Sequence, residues 1–298
     1  MDLKAPLTFN KQIERLKDHG ISIADEDFAK KILQEINYYR FTGYALQFRK
    51  ATNNSDCIEG TSFEAIYDIY KFDEELRNFS RKYLEKVEIF FRTQISYYFS
   101  QMKCTLPPHN QHYDDKNYCN VGWFNEVKAS FNDDRKYYKD SLVFQHHKKN
   151  YSYQMPLWVI VEYLSFSNLS KLYNAMDISV KEKIATTVYT GASMLSNHLH
   201  CLTVFRNKTA HAARLYNETF SPPASHNKSF LQQHPSIKND SFFSYLIVLI
   251  KRLPSPEEKK ACIDTFKSIV EKYKKKAIDM SFIGLPDDYV DILSTIGV

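Results

Sequence analysis

Apolar side chains recur every three or four residues along most of this chain, a period that predicts helices rather than strands. The first helix covers residues 8–19, with Phe9, Ile13 and Leu16 on one face and Gly20 at its end. A second follows the acidic start at Asp25 to Asp27, turns Phe28, Ile32, Leu33 and Ile36 inward and reaches INYYR at 36–40, with Gly43 bending or ending it. Residues 50–61 read as a polar loop. From Ser62 to about Met102 the helical period holds through Phe63, Ile66, Ile69, Tyr70, Leu76, Phe79, Tyr83, Val87, Phe90, Phe91 and Ile95. That run exceeds the usual helix length, so a break is expected near Phe72 and Asp73.

The segment 103–120 reads as an irregular surface excursion, and 121–150 as helix ending in the basic run HHKKN. Pro156 opens a further helix with a short partner near 167–174, followed by helices over Val180 to Val188 and from Ser193 into RNKTAH at 206–211. Pro222, Pro223 and Pro235 among serines and asparagines make 218–240 the expected long loop. Helices over Phe242 to Leu253, Pro256 to Lys276 and 286–293 close the chain. No internal repeat and no Gly/Ser linker divides it. The organisation expected is an N-terminal helical extension to residue 60 on a helical core over 61–298, as one compact unit.

Composition agrees with the pattern: seven glycines against 21 tyrosines and 21 phenylalanines leave few turns and many aromatic packing groups, an all-α signature. The net charge of +5 favours an anionic partner without demanding one. Five scattered cysteines with no CxxC pair do not form a disulfide framework and fit a reducing cytosol. The longest apolar stretch, around Tyr245 to Ile250, is too short for a bilayer, so a cytoplasmic protein without a membrane partner is expected.

The most informative chemistry lies in RNKTAH, which sets Arg206 and His211 five positions apart with the polar Asn207 after the arginine. An arginine that stays charged and an imidazole that titrates near neutrality are the smallest kit for cleaving RNA without a metal. His211 would move the 2′-hydroxyl or leaving-group proton, Arg206 would hold the phosphate and its developing charge, and Asn207 would orient either one. The plainer alternative is a structural ion pair or a capped helix end. Five helical residues rotate by about 140°, so the two side chains do not share a face.

Four separated segments widen the picture: PLTFNKQIERLKDHGI at 6–21 with INYYRFTGY at 36–44, IYDIYKFDEELRNF at 66–79 with VEIFFRTQISYY at 87–98, PLWVIVEYLSFSNLSKLY at 156–173, and RNKTAHAARLYN at 206–217. In order and spacing they resemble the Abi-like (AbiD/AbiF-type) abortive-infection proteins of bacteria over nearly the whole chain. That family is similar to HEPN domains, helical ribonucleases with an R-x4-6-H signature, which Arg206, Asn207 and His211 match. The resemblance implies a HEPN-like helical bundle and a toxic endoribonuclease that needs no cofactor or metal and leaves a 2′,3′-cyclic phosphate. It also implies a homodimer pairing two motifs in one cleft, and control by a small RNA or partner protein. Thr209 stands where the family usually has cysteine, and Ala212 where it usually has a second histidine, so a relay through that imidazole is missing.

Further RNA contacts are assigned to Lys208 and Arg214 beside the motif, and to Tyr38, Tyr39, Arg40 and Tyr44, since aromatics interleaved with arginine stack on unpaired bases. His146, His147, Lys148 and Lys149 form a basic patch suited to steering RNA. Helix packing and solvation are the alternatives for all of these. Glu88 with Arg92, and Asp73 with Arg77, have ordinary i, i+4 ion-pair spacing and read as structural. Cys104, His109, His112 and Cys119, like His198, His200 and Cys201, match no zinc spacing, and no phosphate-cradling glycine motif occurs. A non-catalytic RNA-binding protein and a module that recognises a phage component remain the rival readings.

Overall fold

The computed structural model describes residues 5–51, 53–276 and 278–296. Fourteen α-helices and one two-stranded sheet occupy them, so the fold is all-α apart from a hairpin. The chain divides into two compact units, Met1–Arg77 with Phe266–Met280 and Asn78–Thr265 with Ser281–Val298. The division therefore falls inside a helix rather than at residue 60.

In the first unit, α1 (Phe9–Asp18) is capped by Thr8, whose hydroxyl accepts from the Lys11 N–H, and ends at Gly20, whose φ of 81° an L side chain resists. Helix α2 (Glu26–Glu35) starts on Asp25, whose carboxylate accepts from the Phe28 N–H. It stops short of INYYR, because Asn37 caps a separate helix α3 (Tyr38–Thr42). The chain then tightens into a 3₁₀ turn over Gly43–Phe48. The polar stretch expected to be loop instead forms a hairpin, β1 (Arg49–Lys50) against β2 (Asn53–Cys57), antiparallel. Pairing gives its backbone groups partners, and the Cys57 N–H also reaches the His19 carbonyl at 2.8 Å.

Helix α4 (Phe63–Lys103) runs for 41 residues with no glycine or proline. The break expected at Phe72 and Asp73 does not occur. Phe72 is buried against Tyr273 at 5.1 Å, and Asp73 is buried in a pair with Arg77 one turn on, so both residues extend the inward face. Tyr44 completes this buried group, donating to Asp73 at 2.6 Å and accepting from Arg77 at 3.2 Å.

The second unit takes the rest of α4 from Asn78, then α5 (Val121–Tyr137), α6 (Leu142–Tyr151), α7 (Leu157–Tyr163), α8 (Phe166–Ala175), α9 (Ile178–Thr187) and α10 (Ala192–Ala210). A short α11 (Lys228–Gln233), α12 (Phe242–Arg252), α13 (Pro256–Tyr273), whose residues from Phe266 belong to the first unit, and α14 (Tyr289–Ile296) follow. Every residue of α12 from Phe242 to Ile250 is buried, the mark of a helix packed all round, and α10 and α14 lie against it. The segment 103–120 is irregular but not superficial. Tyr118 is buried, stacked on Phe124 at 3.6 Å and on Phe99 at 5.4 Å.

The stretch 218–240, expected to be a long loop, holds α11 and is pinned to the core. Asn197 accepts from the Ser225 N–H and donates to the Pro223 carbonyl, and His226 meets the Ser244 hydroxyl at 2.7 Å. Gly284 closes the last turn with φ of 70°, and a Cβ there would lie 2.3 Å from the Cβ of Ser241. Gly284→Ala is expected to lower stability by about 1–3 kcal/mol, read as a fall in the urea midpoint. An unchanged midpoint would mean that this turn can shift freely.

Candidate functional site

Helix α10 turns Leu195, Leu199, Leu202, Phe205 and Thr209 into the core, which leaves Arg206, Asn207 and Lys208 at its edge. The helix ends at the motif. His211 is the C-cap, its N–H bonded to the Asn207 carbonyl at 3.0 Å, and Ala212 follows in the left-handed conformation with φ of 50°. The Ala213 N–H returns to the Lys208 carbonyl at 2.8 Å and that of Ala212 to Thr209 at 3.3 Å, the two bonds of a Schellman turn. Glycine ordinarily takes this place, and an L residue there costs about 1–2 kcal/mol. Position 212, where the resemblance leads one to look for a second imidazole, is thus the turn residue itself. His211 and Ala212 are exposed, and among the described residues the His211 ring makes no hydrogen bond or ion pair.

Arg206 is held by two long contacts. Its Nε lies 3.4 Å from Glu88 Oε2 and its Nη1 3.5 Å from Asn207 Oδ1, and its side chain stays 39% exposed. The other Glu88 oxygen accepts from Arg92 at 2.7 Å. Arg92 also donates to the Val161 carbonyl and, at 2.8 Å, to that of Leu164, a cation seated where the last carbonyls of α7 lack helical partners. Arg81 donates to the Thr209 carbonyl at 3.0 Å, and the Thr209 hydroxyl bonds back to the Arg206 carbonyl at 2.8 Å. Beyond the turn, Glu218 pairs with Arg214 at 2.7 Å and with Lys208 at 3.3 Å.

Five cations, Arg81, Arg92, Arg206, Lys208 and Arg214, therefore interact with this stretch of chain or its anchor, against the carboxylates of Glu88 and Glu218. Sequence reasoning missed Arg81 and read the Glu88–Arg92 pair as structural, without its link to Arg206. The spacing 81, 88, 92 does place all three on one face of α4, and that was the available signal. Glu88→Ala is expected to lower stability by about 1–3 kcal/mol, because a largely buried Arg92 loses its anion. Arg206→Ala is expected to change it by less than about 1 kcal/mol, because that pair is long and half-exposed. Equal losses in urea unfolding would make Arg206 a structural residue.

The remaining assigned residues lie elsewhere. Tyr38, Tyr39, Arg40 and Tyr44 belong to the first unit. Tyr39 is 87% exposed, whereas Tyr44 is buried and bonded to Asp73 and so offers no face for a base. Burial and then the Asp73 charge hold the Tyr44 phenol well above its ordinary range, so it remains a donor. On α6, His146, Lys148 and Lys149 are exposed. His147 is turned inward, with Nδ1 2.9 Å from the Val143 carbonyl.

Among the described residues no group of three or more His, Cys, Asp or Glu side chains is arranged to hold a metal. Burial pushes His112 down to about 4 and His198 down to about 3, and each points Nε2 at a backbone carbonyl, Met155 and Ser225 respectively. All five cysteines are free. Among the described residues no helix is long and apolar enough to cross a membrane.

No curated protein and no solved structure matches the chain. The family model of Abi-like proteins matches residues 31–217, from the middle of α2 through α10 and its closing turn, and with well over half of its length inside that match the chain belongs to the Abi-like protein family.

Proposed function

We propose that this chain is an endoribonuclease of the abortive-infection type, acting in phage defence through Arg206 and His211. Family membership supports abortive infection as the setting. The observation that carries the catalytic reading is the end of α10, which leaves an unpaired, exposed imidazole one turn beyond an arginine anchored by its Nε edge.

In this reading the His211 imidazole takes the proton of a ribose 2′-hydroxyl, and the freed oxygen attacks the adjacent phosphorus. The bond to the 5′ oxygen breaks, and that oxygen takes a proton from an imidazolium, leaving a 2′,3′-cyclic phosphate and a 5′-hydroxyl. Arg206 meets the charge that builds on the non-bridging oxygens, and Asn207 steadies its guanidinium. No redox step, metal or cofactor enters this balance. The second proton donor is assigned to His211 of another copy, because one motif carries one imidazole and its neighbour is Ala212. A homodimer is thus part of the proposal. So is a small structured RNA or partner protein that masks the cleft, since such an activity would harm the cell that makes it.

The test is cleavage of total RNA by purified wild type and His211→Ala with a chelator present, with the new ends identified chemically. Cyclic phosphate and 5′-hydroxyl ends from the wild type alone support the proposal. Equal behaviour of both proteins overturns it and leaves RNA retention without cutting as the function.

A further inference from the structure

Apart from the motif, the second unit contains a cavity of about 380 Å³. Three segments meet there: the stretch around His109 and Asn110, the end of α6 with the turn behind it, and the start of α7. Its volume is in the range of sites that hold a small organic group. The lining is rich in flat rings. Trp158 and Tyr151 are each 57% exposed, and His109 and His146 are exposed beside them. Exposed tryptophan and tyrosine at a concave mouth are stacking surfaces, since burying them in the core was not required.

The polar groups are equally specific. Asn110 Nδ2 donates to Gln154 Oε1 at 3.1 Å, so the two amides meet at the cavity. Among the described residues this leaves the Asn110 carbonyl oxygen and the Gln154 amide nitrogen without other partners, an acceptor and a donor side by side. Such a pair matches the donor and acceptor edge that every unpaired nucleobase carries. No carboxylate lines the cavity, while Lys148 and Lys149 stand exposed on α6 and Arg135 and Lys148 lie over the Tyr153 ring at 4.8 and 5.8 Å. The lining itself carries no Asp, Glu, Lys or Arg side chain.

The backbone adds a third sign. His109, Ser152 and Tyr153, all in segments that frame the cavity, have φ of 61°, 51° and 66°. Ser152 is the left-handed cap that ends α6, whereas His109 lines the cavity itself, and strain at a residue that is not glycine gathers at binding sites. Finally, α7 begins at the cavity with Trp158, and its last carbonyls accept from Arg92, which shares Glu88 with Arg206. Seven helical residues rise about 10 Å, so the cavity and the motif's anchor sit at opposite ends of one short helix.

We infer that this cavity binds a single unpaired nucleobase, stacked on Trp158 and Tyr151 and read on its edge by Asn110 and Gln154. The base comes from a single-stranded RNA or from a free nucleotide. The first source rests on the ribonuclease reading, whereas the pocket itself does not.

The chain holds two tryptophans, so Trp123→Phe leaves Trp158 as the sole indole reporter. The protein carrying that substitution is titrated with each of the four ribonucleoside monophosphates and with a short unstructured oligoribonucleotide, and Trp158 emission is followed. Saturable quenching is expected, weakened at least about tenfold by Asn110→Ala with Gln154→Ala, weakened similarly by Tyr151→Leu, and retained in His211→Ala. Quenching by the monophosphates assigns a free nucleotide, and quenching by the oligonucleotide alone assigns a base within a strand. Circular dichroism identifies a variant that fails to fold, in which case the other variant decides. Quenching that never saturates, or that both folded variants reproduce unchanged, overturns the inference. Loss of quenching in a protein that still cuts RNA removes the pocket alone. Quenching in a protein that never cuts removes the nuclease alone.

Discussion

Alanine at His211 is expected to slow RNA cleavage by about 10²–10⁴-fold, the usual contribution of a positioned general acid or base, with no change in the urea midpoint. The separation of the two effects follows from the cap. His211 closes α10 through its backbone N–H, which alanine keeps, while its exposed ring has no partner among the described residues. Arg206→Ala is expected to fall in the same range, and Arg206→Lys to rescue little. An ammonium engaged by Glu88 has no second planar edge to offer a phosphate. The two losses would not add, since each group is useless without the other. Initial rates on a short RNA, measured beside unfolding curves, decide the matter. A His211→Ala protein within twofold of wild type would end the assignment.

Asp73→Ala is expected to destabilise the protein by about 3–5 kcal/mol, enough to consume a large share of the roughly 5–15 kcal/mol that holds an ordinary domain. Asp73 is fully buried and Arg77 is 4% exposed, so the substitution leaves a guanidinium out of water with the Tyr44 hydroxyl as its nearest remaining partner. The loss comes from the stranded charge rather than from a missing attraction. Replacing both, Asp73→Leu with Arg77→Met, is therefore expected to recover most of it. Urea unfolding of the two proteins gives the comparison. A double variant no more stable than Asp73→Ala would show that the pair itself, and not the orphaned arginine, sustains the fold.

The helical plan was legible because period and caps are local. Thr8 and Asp25 sit where the chain says helices begin, and the inward faces of α1, α2 and α4 follow the apolar spacing except at Phe9, which is exposed at the first position of α1. What escaped depends on distant partners. The length of the run suggested an interruption near Asp73, because the match of Asp73 with Tyr44, 29 residues away, has no local sign. The stretch 103–120 looked superficial because nothing local shows Tyr118 between Phe99 and Phe124.

The motif was readable as spelling, but its setting was not. Alanine at 212 gives no glycine signal for a left-handed turn, so the return of Arg214 and Glu218 toward Lys208 stayed hidden. Tyr44 and His147 were assigned to RNA by composition, and burial withdraws both rings from solvent.

Glu218 acts as a resident counterion. With Lys208 and Arg214 both turned to its carboxylate, these two cations do not carry the loose salt ions that a bare basic patch would shed on meeting a polyanion. An arriving phosphate must exchange with Glu218 rather than add to it, and the entropy gained at this point is correspondingly small. In the proposed ribonuclease such a surface would grip RNA lightly and let it go, a property suited to a strand that must pass through rather than stay.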